Sequence, residues 1–230
     1  MSTAFDPRAE WLEADGLGGF ASGRADGIRT RRYHALLLAA QSPPTGRVVL
    51  VNGLEAWVET AEGRIALSSQ RYAPDIVHPD GAERLVAFTR EPWPTWTYRL
   101  PSGAEVVQEF VALHDSPVVA LTWRIRGAEA ADLIVRPLLS GRDAHSTHHE
   151  NGGFDFGARI KGERVAWQAY DGVPGVVALA SGQYRHDPSW YRNFQYDDER
   201  ARGLDFLEDL ASPGEFRLPL EGGAALVLAA

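Results

Sequence analysis

The chain has 230 residues, no cysteine, and 23 Lys and Arg against 31 Asp and Glu, for a net charge of −8. The acidic balance argues against the basic footprint that nucleic-acid binding requires, and the missing thiols exclude disulfides, thiolate nucleophiles and cysteine metal cages. The start Met1-Ser2-Thr3-Ala4-Phe5-Asp6-Pro7 lacks the basic-then-apolar order of a signal peptide, and the longest apolar run, Ala35 to Ala40, is too short to cross a bilayer, so a soluble cytoplasmic protein with no membrane partner is expected.

In chain order, Glu10 to Gly23 reads as a glycine-dense, site-forming loop that feeds a buried strand. Five glycines from Gly16 to Gly27 permit positive backbone dihedrals, and Arg29, Arg31, Arg32, Tyr33 and His34 then present donors and an aromatic face. Short runs rich in Val, Ile, Leu, Trp and Tyr come next, separated by Gly, Pro, Asp and Ser, as expected of antiparallel strands joined by turns. The expected strands are His34–Ala39, Arg47–Val51, Ala56–Thr60, Arg64–Ser68, Arg84–Arg90, Thr95–Leu100, Glu105–Leu113, Val118–Arg126, Asp132–Leu139, Phe154–Ile160, Arg164–Tyr170, Val176–Ala180, Phe216–Leu220 and Ala224–Leu228. Alternation in Thr95 to Leu100 and in Leu121 to Arg126 gives those strands one wet face. Turn chemistry agrees at Ala61-Glu62-Gly63, Pro101-Ser102-Gly103 and Glu150 to Gly153. Asp197 to Leu210 alone carries a helical pattern, with acids in its first turn and Leu204, Leu207 and Leu210 on one side. No repeat or linker divides the chain, so residues 1–230 are expected to form one all-β, antiparallel two-sheet sandwich with at most one or two short helices.

Two further segments concentrate functional side chains. Arg136 to Asn151 leaves a strand and gathers arginines, acids and three histidines. It suits a polar recognition loop, with Arg142 and Asp143 as a charged pair and His145 offering a hydrogen bond to a neutral hydroxylated ligand. A metal set drawn from His145, His148, His149, Asp143 and Glu150 fits no specific zinc spacing, and neither a metal nor a cofactor is expected. Ser189 to Tyr196 places Trp190, Tyr191, Phe194 and Tyr196 beside Arg192 and Asn193, and sugars require such stacking faces with planar donors nearby. An aromatic edge packed on the core is the alternative reading. No P-loop, dinucleotide fingerprint or nucleophile elbow is present.

On three blocks the chain resembles the N-terminal domain of bacterial and archaeal glycogen debranching enzymes of the amylo-α-1,6-glucosidase type. They are Glu10 to Gly23 with Thr30-Arg31-Arg32-Tyr33-His34, then Arg136 to Asn151, then Trp190 to Phe194 through Gly203 to Leu210. Asp15 and Ala35 stand where the family usually has Asn and Gly. The resemblance implies a supersandwich of the galactose-mutarotase-like kind placed before an (α/α)6 catalytic barrel that cleaves the α-1,6 branch point. Twelve helices of about eleven residues would use more than half of this chain, so the barrel is expected to lie in cis or on a separate subunit. The implied role is non-catalytic, buttressing the barrel and lending Arg32, Tyr33, His34, Arg142, Asp143, His145, Trp190, Tyr191 and Arg192 to a domain interface or to α-glucan. The barrel-facing surface could also pair two copies as a homodimer. A stand-alone carbohydrate-binding module using Trp190 to Tyr196, and a small sugar epimerase-like enzyme using the groups around His145, are the alternatives.

Overall fold

A computed structural model describes residues 5–61, 63–127 and 131–230; Met1 to Ala4, within the stretch read for a signal peptide, and Glu62 of the expected Ala61–Gly63 turn lie outside them. The strands in chain order are β1 (Glu10–Ala14), β2 (Phe20–Arg24), β3 (Ala35–Ser42), β4 (Thr45–Thr60), β5 (Gly63–Ala66), β6 (Gln70–Tyr72), β7 (Ile76–His78), β8 (Leu85–Thr89), β9 (Thr95–Arg99), β10 (Glu105–Ala112), β11 (Val118–Arg126), β12 (Asp132–Asp143), β13 (Arg159–Lys161), β14 (Arg164–Trp167), β15 (Val176–Ala180), β16 (Gln183–Gln195), β17 (Leu207–Pro219) and β18 (Ala224–Ala229). One α-helix, α1 (Asp197–Ala201), and a 3-10 turn at Gly81–Arg84 complete the described elements.

Two antiparallel sheets stack as expected. The larger runs β1-β2-β3-β4-β12-β17-β16-β6-β7 with β5 on β4, and the smaller runs β13-β14-β15-β18-β11-β10-β9-β8. Alternation sets which side chains meet between them. On β11, Val119, Leu121 and Trp123 are buried, while Arg124 between Trp123 and Ile125 is exposed. They pack with Phe110, Leu133, Val135, Phe216 and Leu226 in one large core. Each such side chain contributes roughly 1.5–3 kcal/mol through burial.

The middle of the larger sheet is buried on its other face too. Leu138, Phe194, Tyr196 and Leu210 form a second apolar cluster there, and β12 accordingly reads as an almost continuous buried run.

Several expectations are corrected. Glu10 to Gly23 is a β-hairpin, not an open loop: Trp11 pairs with Gly23, and a Cβ on Gly23 would sit 3.3 Å from the Trp11 ring. The turn between the strands uses the glycines' freedom, with φ of 79° at Gly16 and 103° at Gly18, as does Gly27 after the hairpin with 75°. The expected strands Arg47–Val51 and Ala56–Thr60 are parts of one strand, β4, because β12 pairs with it along both stretches and takes up the irregularity at Asn52 as a bulge. The helix after Tyr196 stops early: Gly203 takes a φ of 71°, its N–H reaches Arg200 O (3.0 Å) and Leu204 N–H reaches Glu199 O (3.0 Å), the two bonds of a Schellman stop. Leu207 and Leu210 therefore lie on β17, and of the expected strand Phe154–Ile160 only its end is strand, in β13.

Candidate functional site

The three segments singled out in the sequence converge on the far face of the larger sheet. Residues 26–34 enter as a tight loop in which Asp26 Oδ1 accepts Ile28 N–H (3.0 Å) and Asp26 pairs with Arg24. Thr30 Oγ1 donates to Asp198 Oδ2 (2.7 Å) and Arg32 N–H to Glu199 Oε1 (3.0 Å), which fastens the loop to α1. Acids in the first turn of α1 suit the helix dipole as well as these partners. The Arg32 guanidinium donates to His145 O, and Arg142 Nη2 donates to Arg32 O (2.8 Å).

Glu208 is the hub beneath these contacts. It is wholly buried and accepts from Arg142 Nε and Nη2, Tyr196 O–H, Asn52 Nδ2 and the His148 N–H. Burial works against the charge on Arg142, but Glu208 and Tyr196 together outweigh it and leave Arg142 more firmly protonated than usual. Burial, reinforced by the Glu208 charge, pushes the Tyr196 hydroxyl well above its ordinary range.

Arg142 and Asp143 do not form the expected charged pair. β12 runs on to Asp143, so the two side chains leave opposite faces: Arg142 goes inward to Glu208 and Asp143 outward to His145. Asp143 Oδ1 accepts from the His145 N–H (2.8 Å) and lies 3.1 Å from its Nδ1, and the backbone bond above all holds the Asp143 carboxyl below its usual range. The His145 side chain is 73 % exposed and meets the edge of Tyr33 with ring centroids 5.8 Å apart.

The other histidines divide by burial. His34 Nδ1 accepts from Thr30 N–H (3.1 Å), and burial pushes its pKa down to about 4, so it is neutral with its Nε2 toward Glu10 (3.4 Å). His148 is also held neutral by burial, with Nδ1 at Asp209 O (2.9 Å) and Nε2 at the Tyr170 hydroxyl (2.6 Å).

Trp190, Tyr191 and Arg192 do not share one surface. Trp190 is half-buried among His148, Phe154 and Phe156. Tyr191 turns to the cluster around Leu138 and Phe194, and exposed Arg192 pairs with Glu150. A bulge comes next at Asn193, whose φ of 65° suits asparagine and whose N–H reaches Asp209 Oδ1 (2.8 Å).

Two open grooves are lined by the segments that carry the ridge of Arg32, Tyr33 and His145. One of about 550 Å3 is lined by Glu10, Phe20, Arg31, Tyr33, His34 and Arg90, and one of about 490 Å3 by Thr147, His149, Arg200, Leu204 and Phe206. In the first, Arg31 Nε holds Glu10 Oε1 at 2.7 Å; in the second, the Arg200 guanidinium lies 5.7 Å from the centre of the Phe206 ring. Glu10, Glu199 and Glu208 were not among the expected site residues. Glu208 stands beside Asp209 between Leu207 and Leu210, and no signal in the sequence separates the wholly buried carboxylate from its neighbour.

No curated protein matches the chain. A family described as glycogen debranching enzyme N terminal matches residues 9–227, a span that takes in the Glu10 hairpin, the Arg32 loop, the Arg142–Glu208 hub and the β16–β17 pair. The chain belongs to the glycogen debranching enzyme N-terminal family.

Proposed function

We propose that this domain buttresses an (α/α)6 catalytic barrel, in cis or on another subunit, and lends the ridge of Arg32, Tyr33 and His145 to α-glucan binding without complete hydrolytic chemistry of its own. One observation carries this reading: exposed imidazole, an aromatic edge and a fixed guanidinium meet beside an open groove that Tyr33 lines, with buried charge pairs beneath them. A glucan needs apolar faces for its C–H surface and directed donors and acceptors for its hydroxyls. Phe20 and Tyr33 supply the faces in the larger groove, and Arg31, Glu10 and Arg90 the polar partners. The described residues hold one five-residue α-helix, so a helical barrel is not among them.

Calorimetric titration with a branched glucan and with maltooligosaccharides, assaying released glucose in the same samples, tests the reading. Binding without release is expected, weakened in Y33A. Glucose release that survives controls for contamination overturns the non-catalytic part. Binding unchanged in Y33A removes the ridge from the glucan contact.

A further inference from the structure

Beside the middle of β4 the larger sheet is open on one side. β3 pairs with β4 only as far as Leu37 with Val51, and β5 takes over only at Ala66 with Trp57. The β4 edge from Asn52 to Leu54 has no strand against it there, and Gln70 Nε2 covers part of the gap by donating to Leu54 O (3.3 Å). A cavity of about 90 Å3 runs from this gap into the space between the sheets. One wall is aromatic, with Trp11, Trp96 and Trp123; the other is polar, with Arg29, Asn52 and Ser68.

Arg29 is the unusual member. It is 6 % exposed, its Nε and Nη2 have no hydrogen-bond partner, and no carboxylate lies within ion-pair distance among the described residues. Its guanidinium rests 4.9 Å from the centre of the Phe194 ring. A Cβ on Gly53 would fall on Arg29 Nη1, so that glycine is what lets the cation lie against the open edge. Among residues lining the cavity, unpartnered donors outnumber acceptors: Trp11 Nε1, Arg24 Nε and both Arg29 nitrogens against Asn52 Oδ1. A buried, unpaired cation amid spare donors is costly unless something anionic completes it.

We propose that this cavity is a binding site for a small oxyanion, of the carboxylate or phosphate class, gripped by the Nε–Nη2 edge of Arg29. That edge is the one on which a guanidinium meets two oxygens in parallel. Both nitrogens are occluded by their neighbours, so binding the ion requires the guanidinium to turn toward it. The volume equals about three waters' share of liquid, which suits an ion of a few heavy atoms and shuts out a glucose unit. The cavity shares Trp11 and Ser22 with the groove beside Tyr33.

The test titrates the protein with inorganic phosphate and, separately, with acetate, following tryptophan emission and melting temperature in the wild type, R29M and R29K. At a hundredfold excess over Kd the wild type is expected to gain about 5 °C in Tm, with a saturable change in emission from the tryptophans that wall the cavity. R29M abolishes both responses, and R29K weakens binding roughly tenfold because an ammonium lacks the fork. A response to phosphate alone or acetate alone supports the site and names its class. No saturable response to either ion, or the same response in R29M, overturns it. Should R29M fail to fold, R29K decides: an affinity equal to wild type overturns the proposal.

Discussion

Arg142 and Arg29 are equally buried, each 6 % exposed, yet they sit in opposite electrostatic circumstances. Arg142 meets a wholly buried carboxylate and two backbone carbonyls, those of Arg32 and Asp143. Arg29 meets an aromatic face and leaves two nitrogens unpartnered. Burial alone therefore says little about what a charged residue is for. A charge whose partners all come from its own chain is architecture; a charge without them is a place where something else can bind.

The largest expected effect tests the satisfied side of this contrast. Arg142→Met removes two donors from Glu208 and leaves that carboxylate buried and underpaired, which costs about 3–5 kcal/mol of folding stability. Urea unfolding measures it. R142M/E208L, which removes both charges, should recover only part of the loss, because Tyr196, Asn52 and the His148 N–H then lose their acceptor, and R142M as stable as wild type would refute the hub as the tie between the Arg32 loop and β17. The matching change at Arg29 removes a cation with no carboxylate at ion-pair distance among the described residues, so R29M should lose little stability or gain some.

Glu55 sharpens the comparison, because it lies on β4 beside the open edge and has Arg29 close enough to act on its charge. Burial is the main influence and pushes its pKa up to about 7, against the lowering effect of Ser68 Oγ, which donates to its Oε2 (3.0 Å), and of Arg29. Folding thus favours the protonated acid. Its contribution is fully present below about pH 4.5, the unfolded value, and is lost as pH rises to about 7, by about 3 kcal/mol in all. Glu55→Gln keeps the shape without the ionisation, so it should stabilise the protein at pH 8 by about that amount and change little at pH 4. Melting curves for E55Q and wild type that run parallel across that range would show Glu55 already ionised in the fold.

Much of the sandwich was legible because strand signals are local. Val118–Arg126 and Val176–Ala180 match their expected bounds, since alternation and flanking turn residues define each run by itself. What failed depends on partners distant in sequence. Arg47–Val51 and Ala56–Thr60 look like two strands until β12 pairs along both, and Leu207 and Leu210 fit a helix until Gly203 stops it and β16 pairs with the strand that begins at Leu207. The candidate site shows the same divide. That residues 29–34, 136–151 and 189–196 concentrate charged, imidazole and aromatic side chains was visible in composition, but that Arg142 turns away from Asp143 to Glu208 depends on β12 running four residues beyond Leu139. Trp190 and Tyr191, adjacent in an aromatic run, face different clusters, which no count of aromatics reveals.

The smallest expected effect on stability falls at His145, three residues from buried His148 in the same loop. Its backbone N–H to Asp143 and its carbonyl to Arg32 do not depend on its ring. His145→Ala forfeits only the contact of Nδ1 with Asp143 and an edge on Tyr33, both in solvent. Stability should stay within about 0.5 kcal/mol of wild type. If the ridge meets glucan through this imidazole, maltooligosaccharide affinity should nonetheless fall about fivefold, the worth of one directed hydrogen bond. Lost affinity at constant melting temperature separates recognition from architecture in a way that Arg142, whose loss disturbs the fold itself, cannot. Unchanged affinity at constant melting temperature would move the glucan contact off the ridge and toward the groove lined by Arg200 and Phe206, where no interaction with His145 is required.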